Sequence, residues 1–247
     1  LMIRHIPFVV VTRNGEIRQK IAAAESGVSD YIVKPFQNEE AIARIERSIR
    51  DIKNALNANP LTRLPGNLSI QEHLEWMLTH NKPFAVSYFD IDHFKSFNDM
   101  YGYTAGDRVI SLTANLIIQT RDELKYDCDE FFIGHVGGDD YITICREDIV
   151  ENFCKHFIRK FDAAVPFEYD RETRKRGFII GKDRRGKVAA FPLVSISIAV
   201  VVNESGAKFR HIGEVACAGA EIKKFLKGRP GSNYLIERRG FQQNIKL

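Results

Sequence analysis

The sequence predicts an α/β protein in two parts: a short segment over residues 1–56 built around two parallel strands, and a domain over 57–247 whose largely antiparallel sheet is flanked by helices. Three observations carry this reading. Two short β-branched runs precede residue 36, with a helical stretch between them. A cluster of helix breakers, Asn57-Ala58-Asn59-Pro60, then interrupts the chain. Beyond it, apolar strand-like runs alternate with amphipathic helices, and two of the runs are joined by the hairpin-like turn Gly137-Gly138.

The elements follow in order. Phe8 to Thr12 (FVVVT) has the apolar character of a strand buried on both faces of a parallel sheet. A helix over about 16–26 is stopped by Gly27, and a second strand over 30–34 is closed by Pro35, which cannot extend a ladder. Ala41, Ile42, Ile45, Ile49, Ile52 and Leu56 then recur at helical spacing and define a long linking helix. Half of a doubly wound sheet cannot bury both of its faces, so this first segment is expected to be unstable alone or to lean on a partner copy.

In the second part, Ser69 with Glu72 three residues on reads as a capping box for a helix carrying Ile70, Leu74, Met77 and Leu78. A strand over 84–90 leads through a short loop to a helix over 106–121. A strand pair flanks Gly137-Gly138, and a helix follows over 148–161. A charged hairpin region over 167–190, a strand over 193–202, a helix over 210–227 and a strand over 233–238 complete the chain.

Composition bounds the function. Hydrophobic residues at 44% and charged residues at 28% suit a globular protein with a real core. A formal charge of +4, with basic residues spread along the chain, does not indicate binding to a nucleic-acid polymer, although a phosphate-bearing small ligand remains compatible. Cys128, Cys145, Cys154 and Cys217 lack the spacing of zinc sites and the density of a disulfide framework. No apolar run reaches the roughly 20 residues needed to cross a bilayer, so no membrane association and a cytoplasmic location are expected. Because the chain opens at Leu1 with a strand-like segment almost at once, it reads as a piece of a longer protein.

Two acidic pairs carry the chemistry. The strand Phe84-Ala85-Val86-Ser87-Tyr88-Phe89 ends in Asp90-Ile91-Asp92, and His93 to Asp107 then supplies lysine, amide and acid within one stretch. Asp139-Asp140 directly follows the two glycines of the turn. Gly-Gly-Asp-Asp alone is an ordinary hairpin turn. Two strand-end acid sites on neighbouring strands, however, form a platform for a hard, oxygen-seeking cation, and glycines let phosphates approach the backbone.

The second part resembles the GGDEF family of nucleotidyl cyclases over about residues 59–238. The likeness rests on Pro60-Leu61-Thr62 with Leu64-Pro65, Asp90-Ile91-Asp92-x-Phe94-Lys95, Asn98-Asp99, Gly102, Gly106-Asp107, Gly137-Gly138-Asp139-Asp140-Tyr141 and Ser195-Ile196-Ser197-Ile198-Ala199, in the family's chain order. The resemblance implies a palm-like cyclase domain that binds GTP with Mg2+ or Mn2+ and joins two GTP into cyclic di-GMP as a homodimer. It implies Asp90, the carbonyl of Ile91 and Asp139 as metal ligands, and Asp139 and Asp140 as catalytic carboxylates. Phe94, Lys95, Asn98, Tyr103, Asp107, Gly138 and Lys227 stand at the substrate-binding positions, with Asn98 and Asp107 reading guanine.

Residues 5–50 resemble the last part of a response-regulator receiver domain, of flavodoxin-like fold, through Thr12, Gly27, Tyr31 and Lys34-Pro35-Phe36. This likeness implies Thr12 and Lys34 as switch residues and an upstream histidine kinase acting through the half not contained in the chain.

Several positions depart from the cyclase pattern. Asp140 replaces the usual glutamate and is one methylene shorter, a retreat of about 1.5 Å that is able to slow catalysis a hundredfold if its reach matters. His135 stands where arginine is common and reads as a satisfied strand histidine, while Asn59 stands where aspartate is common. The Arg-x-x-Asp product-inhibition motif would fall on 128–131 and is missing, and Ser232 replaces a terminal arginine. These departures leave open a second expectation, a catalytically silent GTP or cyclic di-GMP binding module.

Overall fold

The computed structural model describes residues 6–13, 27–182, 187–204, 208–227 and 229–237. Contacts divide the chain into two units, Leu1–Ala58 and Asn59–Leu247.

In the first unit, β1 (Val9–Thr12) and β2 (Asp30–Val33) pair in parallel, from Val9 opposite Asp30 to Thr12 opposite Val33. The helix expected over 16–26 lies outside the described residues. The expectation that β1 is buried on both faces is not met: Phe8 and Val11 are exposed, and only Ile32 of the pair is fully buried. A two-stranded sheet has too few neighbours to form a second layer. Helix α1 (Asn38–Asn57) follows, with Ile42, Ile45, Ile49 and Leu56 exposed along it.

In the second unit, α2 (Asn67–Thr79), β3 (Phe84–Asp92), α3 (Phe94–Tyr101), α4 (Tyr103–Glu123), β4 (Phe132–Gly137), β5 (Asp140–Cys145) and α5 (Glu147–Ala164) come first. A 3-10 turn (Val165–Glu168), α6 (Arg171–Arg176), β6 (Phe178–Lys182), β7 (Val188–Pro192), β8 (Ser195–Asn203), α7 (Ile212–Leu226) and β9 (Asn233–Glu237) follow. The main sheet has the order β4-β5-β3-β8-β9. Its pairings are antiparallel except for β8 with β9, which is parallel. The hairpin β6–β7 forms a separate sheet.

Strand β3 lies in the middle, with helices on both faces. Its alternation decides what each side chain meets. Phe84 and Val86 pack with Ile70, Leu74 and Leu78 of α2 and with Val215, Ala218, Ile222 and Leu226 of α7. Ala85, Phe89 and Ile91 face the other way, into a larger core with Val109 and Ile117 of α4 and Phe153 and Phe157 of α5. Asp90 therefore belongs to the α7 side and Ile91 to the α4–α5 side.

Three local expectations need correction. Ser69 is not the cap of α2: the helix begins at Asn67 after an extended Gly66, whose carbonyl already accepts from the Ile70 amide. The stretch after Asp92 is not a loop but helix α3, because Phe94 and Phe97 share a face and bury together; Gly102 at φ 81° then separates it from α4. The 167–190 region is hairpin only in part. Its start is helical, with Asp170 accepting from the Thr173 amide at 2.8 Å as the cap of α6.

Candidate functional site

The antiparallel register of β3 and β5 sets Asp90 opposite Asp140 at one end of the sheet. Reaching that register from β4 requires a tight turn with a bulge between His135 and Gly137. Gly137 at φ 145° and Gly138 at φ 57° make the turn, a path in which a Cβ would be strained. Asp139 follows immediately, so one turn delivers both signature carboxylates next to Asp90.

The three acids have different partners. Lys223 of α7 donates to Asp140 Oδ1 at 2.5 Å and to Asp90 Oδ1 at 3.2 Å. Lys227 approaches Asp90 Oδ2 at 3.4 Å. Burial opposes the charge on the Lys223 ammonium, but its bond to Asp140 and the field of Asp140 and Asp90 outweigh this and raise its pKa. Among the described residues, Asp139 has no cation within ion-pair distance. Burial, and then the charges of Asp90 and Asp140, push its pKa up.

The field of Lys223 offsets this crowding only in part, and among the described residues Asp139 has no direct ion pair, so an oxygen-ligated divalent cation would add the positive charge that the cluster is short of. Asp90 and Asp139 thus suit such an ion; Ile91 turns its side chain into the core between Asp90 and Asp92, and its position is paired with Ile196 of β8. Among the described residues, no group of three or more His, Cys, Asp or Glu side chains is arranged to hold a metal, so a backbone or external oxygen must complete any coordination shell.

Asp92, the other acid of the first pair, is occupied differently. Its Oδ2 accepts from Ser197 Oγ at 2.7 Å and from Ser195 Oγ at 3.3 Å, tying β3 to β8.

Asn98 and Gly106 meet where α3 packs on α4. Asn98 Oδ1 is buried without a hydrogen-bond partner among the described residues. A Cβ on Gly106 would lie 1.9 Å from that oxygen and 3.2 Å from Cζ of the buried Phe94. Glycine at 106 therefore opens the space that lets the amide sit there. Asp107, next in α4, is exposed, as are Lys95 and, at 81%, Tyr103. The Asn98 amide oxygen, unpartnered among the described residues, and the exposed Asp107 carboxylate one residue beyond Gly106 are both hydrogen-bond acceptors.

His135 is buried, stacked on Tyr141 with ring centroids 4.4 Å apart. Its Nε2 lies 3.0 Å from the Gly138 carbonyl and its Nδ1 lies 2.8 Å from Thr62 Oγ1. A carbonyl only accepts, so Nε2 carries the proton and the Thr62 hydroxyl donates to Nδ1. Burial holds the imidazole pKa down, in keeping with this neutral form. The ring anchors the glycine turn to the Asn59–Leu64 loop, where Asn59 Oδ1 accepts from the amides of Leu61 and Thr62.

Sequence reasoning named Asp90, Ile91, Asp139, Asp140, Gly138 and Lys227, and the fold gathers them at one end of the sheet. It missed Lys223. The available signal was spacing: Lys223 and Lys227 are one helical turn apart and share a face of α7. In the first unit, Thr12 and Lys34 sit at the same end of the parallel pair, where the Lys34 amide donates to the Thr12 carbonyl at 2.7 Å. Among the described residues, no helix is long and apolar enough to cross a membrane.

Comparison with known proteins bears on both units. Residues 56–149 match the family described as "Diguanylate cyclase, GGDEF domain". Diguanylate cyclase DgcP of Pseudomonas aeruginosa is 28% identical over 130 residues, covering 50% of this chain and 18% of that protein. The phosphate regulon transcriptional regulatory protein PhoB of Escherichia coli is 43% identical over 51 residues, 21% of this chain and 22% of its own length. The chain thus spans about a fifth of each of these two relatives. Among solved structures, Vibrio cholerae LapD (S helix-GGDEF-EAL, bound to c-di-GMP) aligns with TM-score 0.55 at 13% identity, over 81% of this chain and 41% of that one. The coiled coil and GGDEF domain of DgcB from Caulobacter crescentus, in complex with c-di-GMP, aligns with TM-score 0.50 at 17% identity, over 88% and 99%. At these identities the two structures speak for the fold.

Proposed function

We propose that this chain, which carries a GGDEF domain and belongs to the diguanylate cyclase family, condenses two GTP into cyclic di-GMP and two pyrophosphates as a symmetric dimer. The observation that carries this reading is Asp139: a half-buried carboxylate on a glycine turn, crowded by Asp90 and Asp140 and without a direct ion pair among the described residues. Asp90, the Ile91 carbonyl and Asp139 would hold Mg2+ or Mn2+. Such an ion, when bound, neutralises phosphate charge and makes the α-phosphate more electrophilic.

The chain's own residues do the rest. Gly137 and Gly138 leave the turn bare, so that a triphosphate approaches backbone amides without meeting a side chain. Lys95, exposed on the first turn of α3, and Lys227 offer positive charge to the phosphates. Asp107 accepts from guanine N1–H and N2–H while the Asn98 amide both accepts from and donates to its edge, and Phe94 backs that pocket, with Tyr103 at its exposed rim. Adenine would leave these groups unpaired. Each ribose 3'-hydroxyl then attacks the α-phosphorus of the other GTP as pyrophosphate departs, so turnover depends on two copies bringing their sites face to face.

The first unit supports regulation. Its likeness to PhoB, together with Thr12 and Lys34 at one strand end, fits the closing part of a receiver domain answering to a histidine kinase. Along α1, Ile42, Ile45, Ile49, Ile52 and Leu56 alternate at spacings of three and four, the pattern of a helix pairing with its copy.

A second reading, a silent GTP or cyclic di-GMP binding module, is favoured by one observation: Asp140 is committed to Lys223 at 2.5 Å. Incubation with GTP and Mg2+ at high protein concentration, with chromatographic separation of nucleotides, distinguishes the two. Cyclic di-GMP formation that vanishes on dilution supports the cyclase. Tight GTP binding without product supports the silent module.

A further inference from the structure

Helix α7 brings Lys223 into contact with the carboxylate cluster, and the reason is local. A Cβ on Gly219 would lie 2.5 Å from Tyr88 Cε2, so only glycine lets the helix settle on that ring. Tyr88 and Asp90 point to the same face of β3, and Lys223 lies one turn beyond Gly219 on α7. The contact of Gly219 with Tyr88 therefore sets Lys223 over Asp90 and Asp140.

The consequence is a plugged cluster. Lys223 is 22% exposed, Asp90 only 14%, and the ammonium touches both acids at once. Lys227 takes the second oxygen of Asp90. Both Asp90 oxygens are thus engaged by lysines, Lys223 of α7 and Lys227 just past its end, while Asp139 alone of the three acids has no ion pair among the described residues.

Resting on the cyclase reading above, we propose that Lys223 is a tethered counter-cation: its ammonium neutralises the carboxylate cluster, and it must withdraw from Asp90 before a divalent ion is bound there. Lys223 and the metal are rivals for Asp90, and two cations that close repel strongly in a half-buried setting. The free protein consequently holds divalent metal poorly, and substrate phosphates, which bring their own negative charge, shift the balance toward the metal. Lys223 in this role adjusts when the metal loads.

The test is metal affinity without nucleotide, read from the free Mn2+ signal by electron paramagnetic resonance. Lys223→Met is expected to bind Mn2+ about tenfold or more tightly than the unaltered protein. Lys224→Met, which removes the same charge from an exposed position on the same helix, is expected to change affinity by no more than about twofold. Equal or weaker affinity in Lys223→Met, with Mn2+ still bound, overturns the rivalry while leaving the cyclase reading intact. Loss of all Mn2+ binding from both proteins overturns the metal site and the rivalry together.

Should Lys223→Met fail to fold, the unaltered protein still decides. The Lys223 ammonium 15N resonance is expected to shift on adding Mg2+ alone. A resonance that stays put while aspartate carboxyl signals move refutes the proposal.

Discussion

Substituting Gly106 tests the base pocket with little disturbance elsewhere. The alanine methyl would arrive 1.9 Å from Asn98 Oδ1 and 2.9 Å from its Cγ, so the amide must retreat by about 1.5 Å to reach ordinary contact. Among the described residues, Asn98 Oδ1 has no partner to lose. Alanine within α4 gains about 1 kcal/mol in helix propensity, while crowding Phe94 Cζ at 3.2 Å and moving the amide costs about 1–3 kcal/mol. Stability in Gly106→Ala should thus change by no more than about 2 kcal/mol.

Binding should change more. Displacing the amide removes one or two hydrogen bonds to the base, together about 1–3 kcal/mol, or roughly 5- to 150-fold in GTP affinity. Titration calorimetry with a GTP analogue that cannot cyclise measures this, with urea unfolding as the control for stability. Asn98→Ala should weaken binding by a similar factor. The double variant should be no weaker than Asn98→Ala alone, because the methyl then has no amide to displace. GTP affinity unchanged in Gly106→Ala, or a full second loss in the double variant, refutes the pocket as described.

Three further outcomes are expected. Asp139→Asn should reduce cyclic di-GMP formation by about 100-fold or more while leaving the melting temperature equal or higher, since it removes a half-buried charge whose pKa is raised by burial and by like charges; parallel loss of folding and activity would contradict the assignment. His135 resists protonation in the fold, so below its ordinary value of 6.5 the unfolded chain binds more protons and stability falls as pH falls. Urea midpoints between pH 7 and 5 should decline less steeply in His135→Gln, and identical slopes would argue against the neutral bridge to Gly138. Gly219→Ala should destabilise the fold by about 1–3 kcal/mol by forcing α7 off Tyr88, read as a lower urea midpoint; an unchanged midpoint would mean the helix shifts freely.

Local pattern explains what was legible. The strand ending at Asp90-Ile91-Asp92 and the glycine turn before Asp139-Asp140 are signals within a few residues, and the structure realises both. Two other local signals pointed the wrong way. Ser69 and Glu72 have the spacing of a capping box, yet the extended Gly66 starts α2 earlier. Polar residues between Asp92 and Gly102 suggested a loop, but burial of Phe94 and Phe97 against the core makes them one face of a helix.

The sequence by itself determined the α/β class, the positions of the acidic pairs and the glycines that make the signature turn, because each depends on backbone freedom and periodicity over neighbouring residues. The tertiary structure alone decided which charges meet. Lys223 is 133 residues from Asp90 and 83 from Asp140, and His135 is 73 from Thr62. No periodicity connects such positions: their encounter follows from sheet register and from how near α7 can approach β3, and these are settled only when the whole core packs.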